Sequence, residues 1–171
     1  MKKVICKNYE EMSREAAKLV AAQIKEKPSS VLGFATGSSP VGMYKELVRM
    51  NKAGEIDFSD ITTFNLDEYY PIQRSNDQSY HYFMFDNLFS HVNIKKENVN
   101  VPNGEVSDPD AECRAYDEKI ESYGGIDLQV AAVQREDVIT EDVVCSDLQG
   151  VGIVDGGRRI LQIGLYIHLL T

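Results

Sequence analysis

Residues 61–70 read ITTFNLDEYY, a passage from an apolar, β-branched run straight into two acids flanked by tyrosine. Ile61, Thr62, Thr63 and Phe64 suit a short buried strand. Asp67 and Glu68 then fall just past its carboxyl end, where open α/β sheets gather their chemistry. A carboxylate there is placed to act as a base; equally, an Asp at such a point caps a turn or a helix. A second strand end lies thirty residues earlier. Residues 31–35, VLGFA, are apolar and bounded by turn residues, as in a central parallel strand. Thr36-Gly37-Ser38-Ser39-Pro40 follows, and then a helix with Val41, Tyr44, Leu47 and Val48 on one side. Ser39 suits the N-cap and Pro40 the first helical position. A strand, a glycine turn, a hydroxyl-rich loop and a helix start together aim free N–H groups and a helix dipole at one point, which is an anion site. Many βα loops of this kind bind nothing. The spacing is neither GxxxxGK[ST] nor GxGxxG, so neither a P-loop nor a dinucleotide is indicated.

Working outward, residues 3–7 suit a short edge strand. Asn8 with Glu11 has the form of a helix cap. The helix expected over residues 9–27 turns Met12, Ala16, Leu19, Val20 and Ile24 inward and stops at Pro28. Residues 52–60 and 71–78 are polar connections. Residues 79–89 have Tyr80, Phe83, Met84 and Leu88 at helical spacing. His81 and His91 read as surface or core fillers, since neither has a partner at metal-ligand spacing. Residues 98–101 form a further short strand before the turn Pro102-Asn103-Gly104. Asp108 and Pro109 start a helix running to about Tyr123, with Ala111, Ala115, Tyr116 and Ile120 inward, and Gly124-Gly125 ends it. Residues 126–133, IDLQVAAV, make the next strand. Alternating strands and helices predict an α/β fold, a parallel sheet with helices on both faces.

The chain of 171 residues is long enough for one domain with a real core. Its net charge of −9 argues against nucleic acid as a partner, since phosphate neutralisation needs a basic face. It does not exclude a small anion, which responds to the local field. Cys6, Cys113 and Cys145 are odd in number and widely spaced, as in free thiols of a reducing cytosol, and no CxxC pair or His cluster offers a metal site. The opening MKKVICKNYEEM lacks the apolar core of a signal peptide, and no run has the length of a membrane span. A soluble cytoplasmic protein is expected.

With both strand ends in view, the chain resembles the glucosamine-6-phosphate deaminase (isomerase) family. The stretches that carry the likeness are VLGFATGSSPVGMYKELV, ITTFNLDEYY, QSYHYFM and AECRAYDEKIESYGGIDLQ. Their order and spacing match too, and the ATGSSP loop paired with FNLDEYY makes the likeness specific. The resemblance implies a Rossmann-like three-layer α/β/α fold over residues 1–129, with no nucleotide. It implies conversion of glucosamine 6-phosphate and water into fructose 6-phosphate and ammonia, in amino-sugar catabolism, without metal or organic cofactor. Asp67 matches the family's base, expected near its ordinary pKa and so ionised at neutral pH. Thr36, Gly37, Ser38 and Ser39 match the loop that surrounds the substrate. Tyr80 matches an active-site tyrosine, with helix packing as its other role. Glu68 joins the substrate-binding set, its alternatives being to orient neighbours or to face solvent. Family members often form homo-oligomers. Lactonase and pentose-phosphate isomerase relatives share the superfamily, but FNLDEYY favours the deaminase.

After Gln129 the likeness stops. Where the family continues as GIGxxGHIxFNEP, with the histidine that opens the sugar ring, residues 130–171 read VAAVQREDVITEDVVCSDLQGVGIVDGGRRILQIGLYIHLLT. His168 has no matching neighbours, and Arg158 and Arg159 do not match the family's basic phosphate ligands. This divergent segment suits a strand plus a hairpin between residues 151–154 and 160–170 across an Asp-Gly turn. A shifted frame, a fusion or a genuine variant each account for it. The alternative function is accordingly an impaired remnant, or a sugar-phosphate-binding module.

Overall fold

In a computed structural model of the protein, residues 4, 6–65, 67–133, 154–155 and 164–169 are described. Helix α1 (Tyr9–Glu26) starts where expected, with the Asn8 side chain accepting from the Glu11 N–H at 2.8 Å. The Glu11 carboxylate in turn accepts from the Lys7 N–H at 2.6 Å. That N–H is spent on the cap, and no strand forms at Val4, Cys6 or Lys7, against the edge strand expected there. Strand β1 (Val31–Phe34), helix α2 (Val41–Lys52) and strand β2 (Thr62–Asn65) follow. After the two-residue β3 (Tyr69–Tyr70) come α3 (Tyr80–Asn87), β4 (Val99–Asn100), α4 (Pro109–Ser122) and β5 (Leu128–Val133). Beyond these lie β6 (Val154–Asp155) and β7 (Gly164–Leu169).

The main sheet has the order β4-β2-β1-β5-β7; the first four strands are parallel, and β7 lies antiparallel on β5. β6 pairs instead with β3, parallel, in a separate two-stranded sheet. Of the hairpin expected between residues 151–154 and 160–170, the described residues join different sheets rather than each other, and the turn between them lies outside the described residues.

Alternation along β1 sets the layers. Leu32 and Phe34, with Leu128 and Val130, face a core filled by α1, α2, Met84 of α3, and Leu88 and Phe89 just beyond it. Val31 and Phe64 face the opposite side, against Tyr116, Ile120 and Ile126. On that side Gly33 lies beneath the Gln129 side chain, whose Oε1 would be 1.8 Å from an added Cβ.

Two helix faces differ from expectation. On α1, Leu19 is 44% exposed, and the buried stripe runs through Ser13, Ala16, Ala17, Val20, Ala21 and Ile24. These small residues let α2 come close: a Cβ on Gly42 would lie 2.2 Å from the Ser13 hydroxyl. On α4, Ala111 and Ala115 are exposed. That helix is seated by the long Tyr116 side chain, whose ring stands edge-on to Phe64 at 5.6 Å. Asp108 caps it as expected, accepting from the Ala111 N–H at 3.0 Å, and Gly124 and Gly125 end the turn beyond it at φ 83° and 91°.

Candidate active site

Phe34 and Asn65 are register partners, so β1 and β2 finish side by side and their following segments open on the same edge of the sheet. Three side chains hold these ends. The Tyr44 hydroxyl donates to the Ala35 carbonyl, and burial pushes that phenol's pKa up. Asn65 Nδ2 donates to the Phe34 carbonyl at 3.1 Å, and the Tyr116 hydroxyl donates to the Asn65 carbonyl at 3.1 Å.

In the loop after β1, Thr36 is half-buried, Gly37 and Ser38 are exposed, and Ser39 and Pro40 are buried. Gly37 takes φ 98°, a conformation a side chain would strain even though the space around it is open. Helix α2 does not begin as expected. Pro40 is its cap residue, with no side-chain cap bond, and its carbonyl accepts from the Tyr44 N–H at 2.9 Å. The cap comes from α1: the Tyr9 hydroxyl accepts from the Gly42 N–H at 2.8 Å and donates to the Ser38 carbonyl at 3.0 Å. One of the N–H groups expected to face an anion is thus already engaged. Tyr9→Phe is expected to lower stability by about 1 kcal/mol, the worth of a lost cap, read as a shift of the urea midpoint at unchanged slope.

The segment after β2 carries the acids. Asp67 is half-buried, and its pKa is raised to about 6, first by desolvation and then by the neighbouring Glu68 charge. The ordinary value expected from sequence is thus corrected: the carboxylate is a stronger base than a free Asp. Glu68 does not face solvent, being 1% exposed. Its carboxylate accepts from the backbone N–H groups of Tyr69 at 3.0 Å, Tyr80 at 2.8 Å and His81 at 2.9 Å. Both oxygens are turned to the start of α3, which is the geometry of a helix cap rather than of a substrate ligand.

Tyr80 joins the two segments. Its side chain interacts electrostatically with those of Thr36 and Tyr69, and its ring lies 4.7 Å from that of Tyr69. Burial first, then the Tyr69 contact and the Asp67 charge, raise its pKa, against the Thr36 contact, which lowers it. The two histidines are structural. His81 lies 4.6 Å from the Phe85 ring, with burial lowering its pKa, and His91 Nε2 is 2.8 Å from the Asp86 carbonyl. A cleft of about 770 Å³ opens elsewhere, beside β4, lined by residues including Arg74, Lys96 and Lys119; it touches neither Asp67 nor the loop after β1.

The functional contacts that sequence reasoning missed are Tyr9 on the loop and Tyr69 on Tyr80. Neither has a signal in local spacing, since both depend on elements folding against one another.

Fold and site together define a Rossmann-like α/β protein in which a desolvated carboxylate and a hydroxyl-rich loop share the tips of adjacent parallel strands. A family profile described as glucosamine-6-phosphate isomerases/6-phosphogluconolactonase matches residues 7–140. The chain belongs to that family. It is 61% identical over 133 residues to the glucosamine-6-phosphate deaminase of Thermoanaerobacter sp. (strain X514), covering 78% of this chain and 53% of that one. With the glucosamine-6-phosphate deaminase of Clostridioides difficile (strain 630) it shares 54% identity over 135 residues, 79% of this chain and 54% of the relative. The chain thus spans about half the length of the curated relatives it matches. A solved monomeric glucosamine-6-phosphate deaminase superposes with a TM-score of 0.73 at 36% identity, over 80% of this chain and 66% of that one. A 6-phosphogluconolactonase from Thermotoga maritima, at TM-score 0.58 and 18% identity over 70% and 52%, shares the fold. Among the described residues no helix is long and apolar enough to cross a membrane.

Proposed function

We propose that the site serves an aldose–ketose isomerisation with deamination, in which glucosamine 6-phosphate and water become fructose 6-phosphate and ammonia. Asp67 takes the C2 proton of the open-chain sugar and returns it at C1, through an enolamine. Water then displaces the C2 nitrogen as ammonia. The observation that carries this reading is a desolvated carboxylate whose charge reaches Tyr80, a side chain that also interacts with Thr36 of the neighbouring loop. A pKa of about 6 leaves Asp67 mostly ionised at pH 7 while making it a better base, the compromise general base catalysis favours. Thr36, Gly37, Ser38 and Ser39 hold the phosphate or the sugar and fix the reacting carbons against Asp67. Tyr80 lines the same pocket. The substrate is an amino-sugar phosphate in the cytoplasm, and the chain works alone or as a homo-oligomer, with no nucleic acid or membrane partner.

A second reading, binding without turnover, is favoured by the sequence after Gln129, which lacks the family's GHIxFNEP segment and its ring-opening histidine. General acid–base help of that kind is worth about 10²–10⁴-fold. Ammonia release from glucosamine 6-phosphate, measured beside calorimetric binding of a non-reactive analogue, separates the two. Ammonia supports the isomerase, and binding alone supports the module. Neither signal would sink both.

A further inference from the structure

We propose that Glu68 is a positioning residue, whose buried carboxylate ties the Asp67 segment to the start of α3 and so holds Asp67 opposite the Thr36 loop. This rests on the reading of Asp67 as the base, but gives Glu68 a role other than binding substrate. The geometry is a closed circuit. From β2 the chain passes Asp67 to Glu68; both Glu68 oxygens accept N–H groups, one serving Tyr69 and Tyr80 and the other His81. Tyr80, seated by that bond, interacts electrostatically with the Thr36 and Tyr69 side chains. Tyr69 closes the loop from the residue next to Glu68, its ring 4.7 Å from that of Tyr80 and tilted 38° to it.

A plain helix cap is already present. Ser79 accepts from the Tyr82 N–H at 2.9 Å, so α3 has its ordinary N-cap without Glu68. What Glu68 adds is a tie between α3 and a segment more than ten residues earlier, together with a second negative charge beside Asp67. Among the described residues, the titratable groups coupled to Asp67 are Glu68 on its own segment, Tyr80 of α3 and Tyr116 of α4. Of these, Glu68 contributes to the raised Asp67 pKa, after desolvation.

The test is a carbon-13 carboxyl NMR titration of Asp67, its resonance assigned by its loss in Asp67→Asn, in the wild type, Glu68→Gln and Ser79→Ala. It needs no turnover, so its outcome stands apart from whether the chain deaminates anything. In Glu68→Gln the Asp67 midpoint should fall below the wild-type value, and the Tyr80 and His81 amides should exchange at least about tenfold faster, the loss of a charge-assisted hydrogen bond. In Ser79→Ala the Tyr82 amide should lose protection while the Asp67 midpoint stays put. An unchanged midpoint in Glu68→Gln, or the same fall in Ser79→Ala, overturns the proposal. Should Glu68→Gln not fold, hydrogen exchange in the wild type still decides: Tyr69, Tyr80 and His81 amides exchanging like free surface amides overturn it, and protected ones support it.

Discussion

Asp67→Asn is expected to abolish proton exchange at C2, and with it ammonia release, while making the folded chain more stable at neutral pH. The catalytic loss should be at least about 10²–10⁴-fold, since the amide cannot accept the proton and general base catalysis is commonly worth that much. Binding of an unreactive amino-sugar phosphate should change little. The stability gain follows from the same carboxylate. In the unfolded chain it ionises near 3.8 and in the folded protein near 6, so between those values the folded state holds more protons. Stability therefore falls as pH rises through that window and is flat above it. Asn has no charge to desolvate and escapes the loss, by about 2–3 kcal/mol at most at pH 7. Denaturant melts of both proteins at pH 4 and pH 8 test this: the variant's advantage should be present at pH 8 and vanish toward pH 4. In the wild type, any turnover should fall about tenfold per pH unit below pH 6, as Asp67 takes up its proton. A variant that is no more stable at pH 8 would mean the carboxylate is well solvated, and the assignment of Asp67 as a tuned base would fail with it.

Phe34→Ala is expected to cost about 3–5 kcal/mol, a large share of the stability of any chain this size. Phe34 is fully buried at the last position of β1, edge-on to Tyr44 at 5.6 Å and 6.5 Å from Phe89. Removing the ring opens a cavity where α2, the turn after α3 that carries Phe89, and the central strand meet, and the rigid backbone on either side limits collapse. The carbonyl of Phe34 receives Asn65, and that of Ala35 receives Tyr44, so slack there passes directly to the Thr36 loop. Urea unfolding should show the midpoint drop, and the surviving folded protein should bind a sugar phosphate more weakly. A loss under about 1 kcal/mol would mean that β1 is not the packed centre described here.

What could be read from the chain alone was whatever nearby residues decide. Asn8 and Asp108 cap helices through side chains reaching three residues along, and both caps form. Residues 31–34 are buried on both faces because the run is apolar throughout, and the strand is central. The meeting of the β1 and β2 ends was also legible, since parallel neighbours finish on the same side. What escaped was decided at a distance. Tyr9 caps α2 from 33 residues away, and Glu68 reaches α3 across 12 and 13. Leu19 has the spacing of a buried residue, but close packing on α2 selects the alanines beside it. The raised pKa of Asp67 likewise comes from desolvation, which no spacing rule encodes.

The start of β1 is pinned by a partner made much later. Asp127 accepts from the Val31 N–H at 2.8 Å and from the Lys27 ammonium at 2.8 Å and 2.9 Å, and its own N–H donates to the Val31 carbonyl at 2.8 Å. Val31 and Asp127 are 96 positions apart. At a ribosomal pace of about 5–20 residues per second, a nascent chain therefore carries this greasy strand with one side unmated for about 5–20 seconds. Translation speed across the intervening residues, more than any contact in the finished molecule, governs how long that flank lies open to the wrong neighbour.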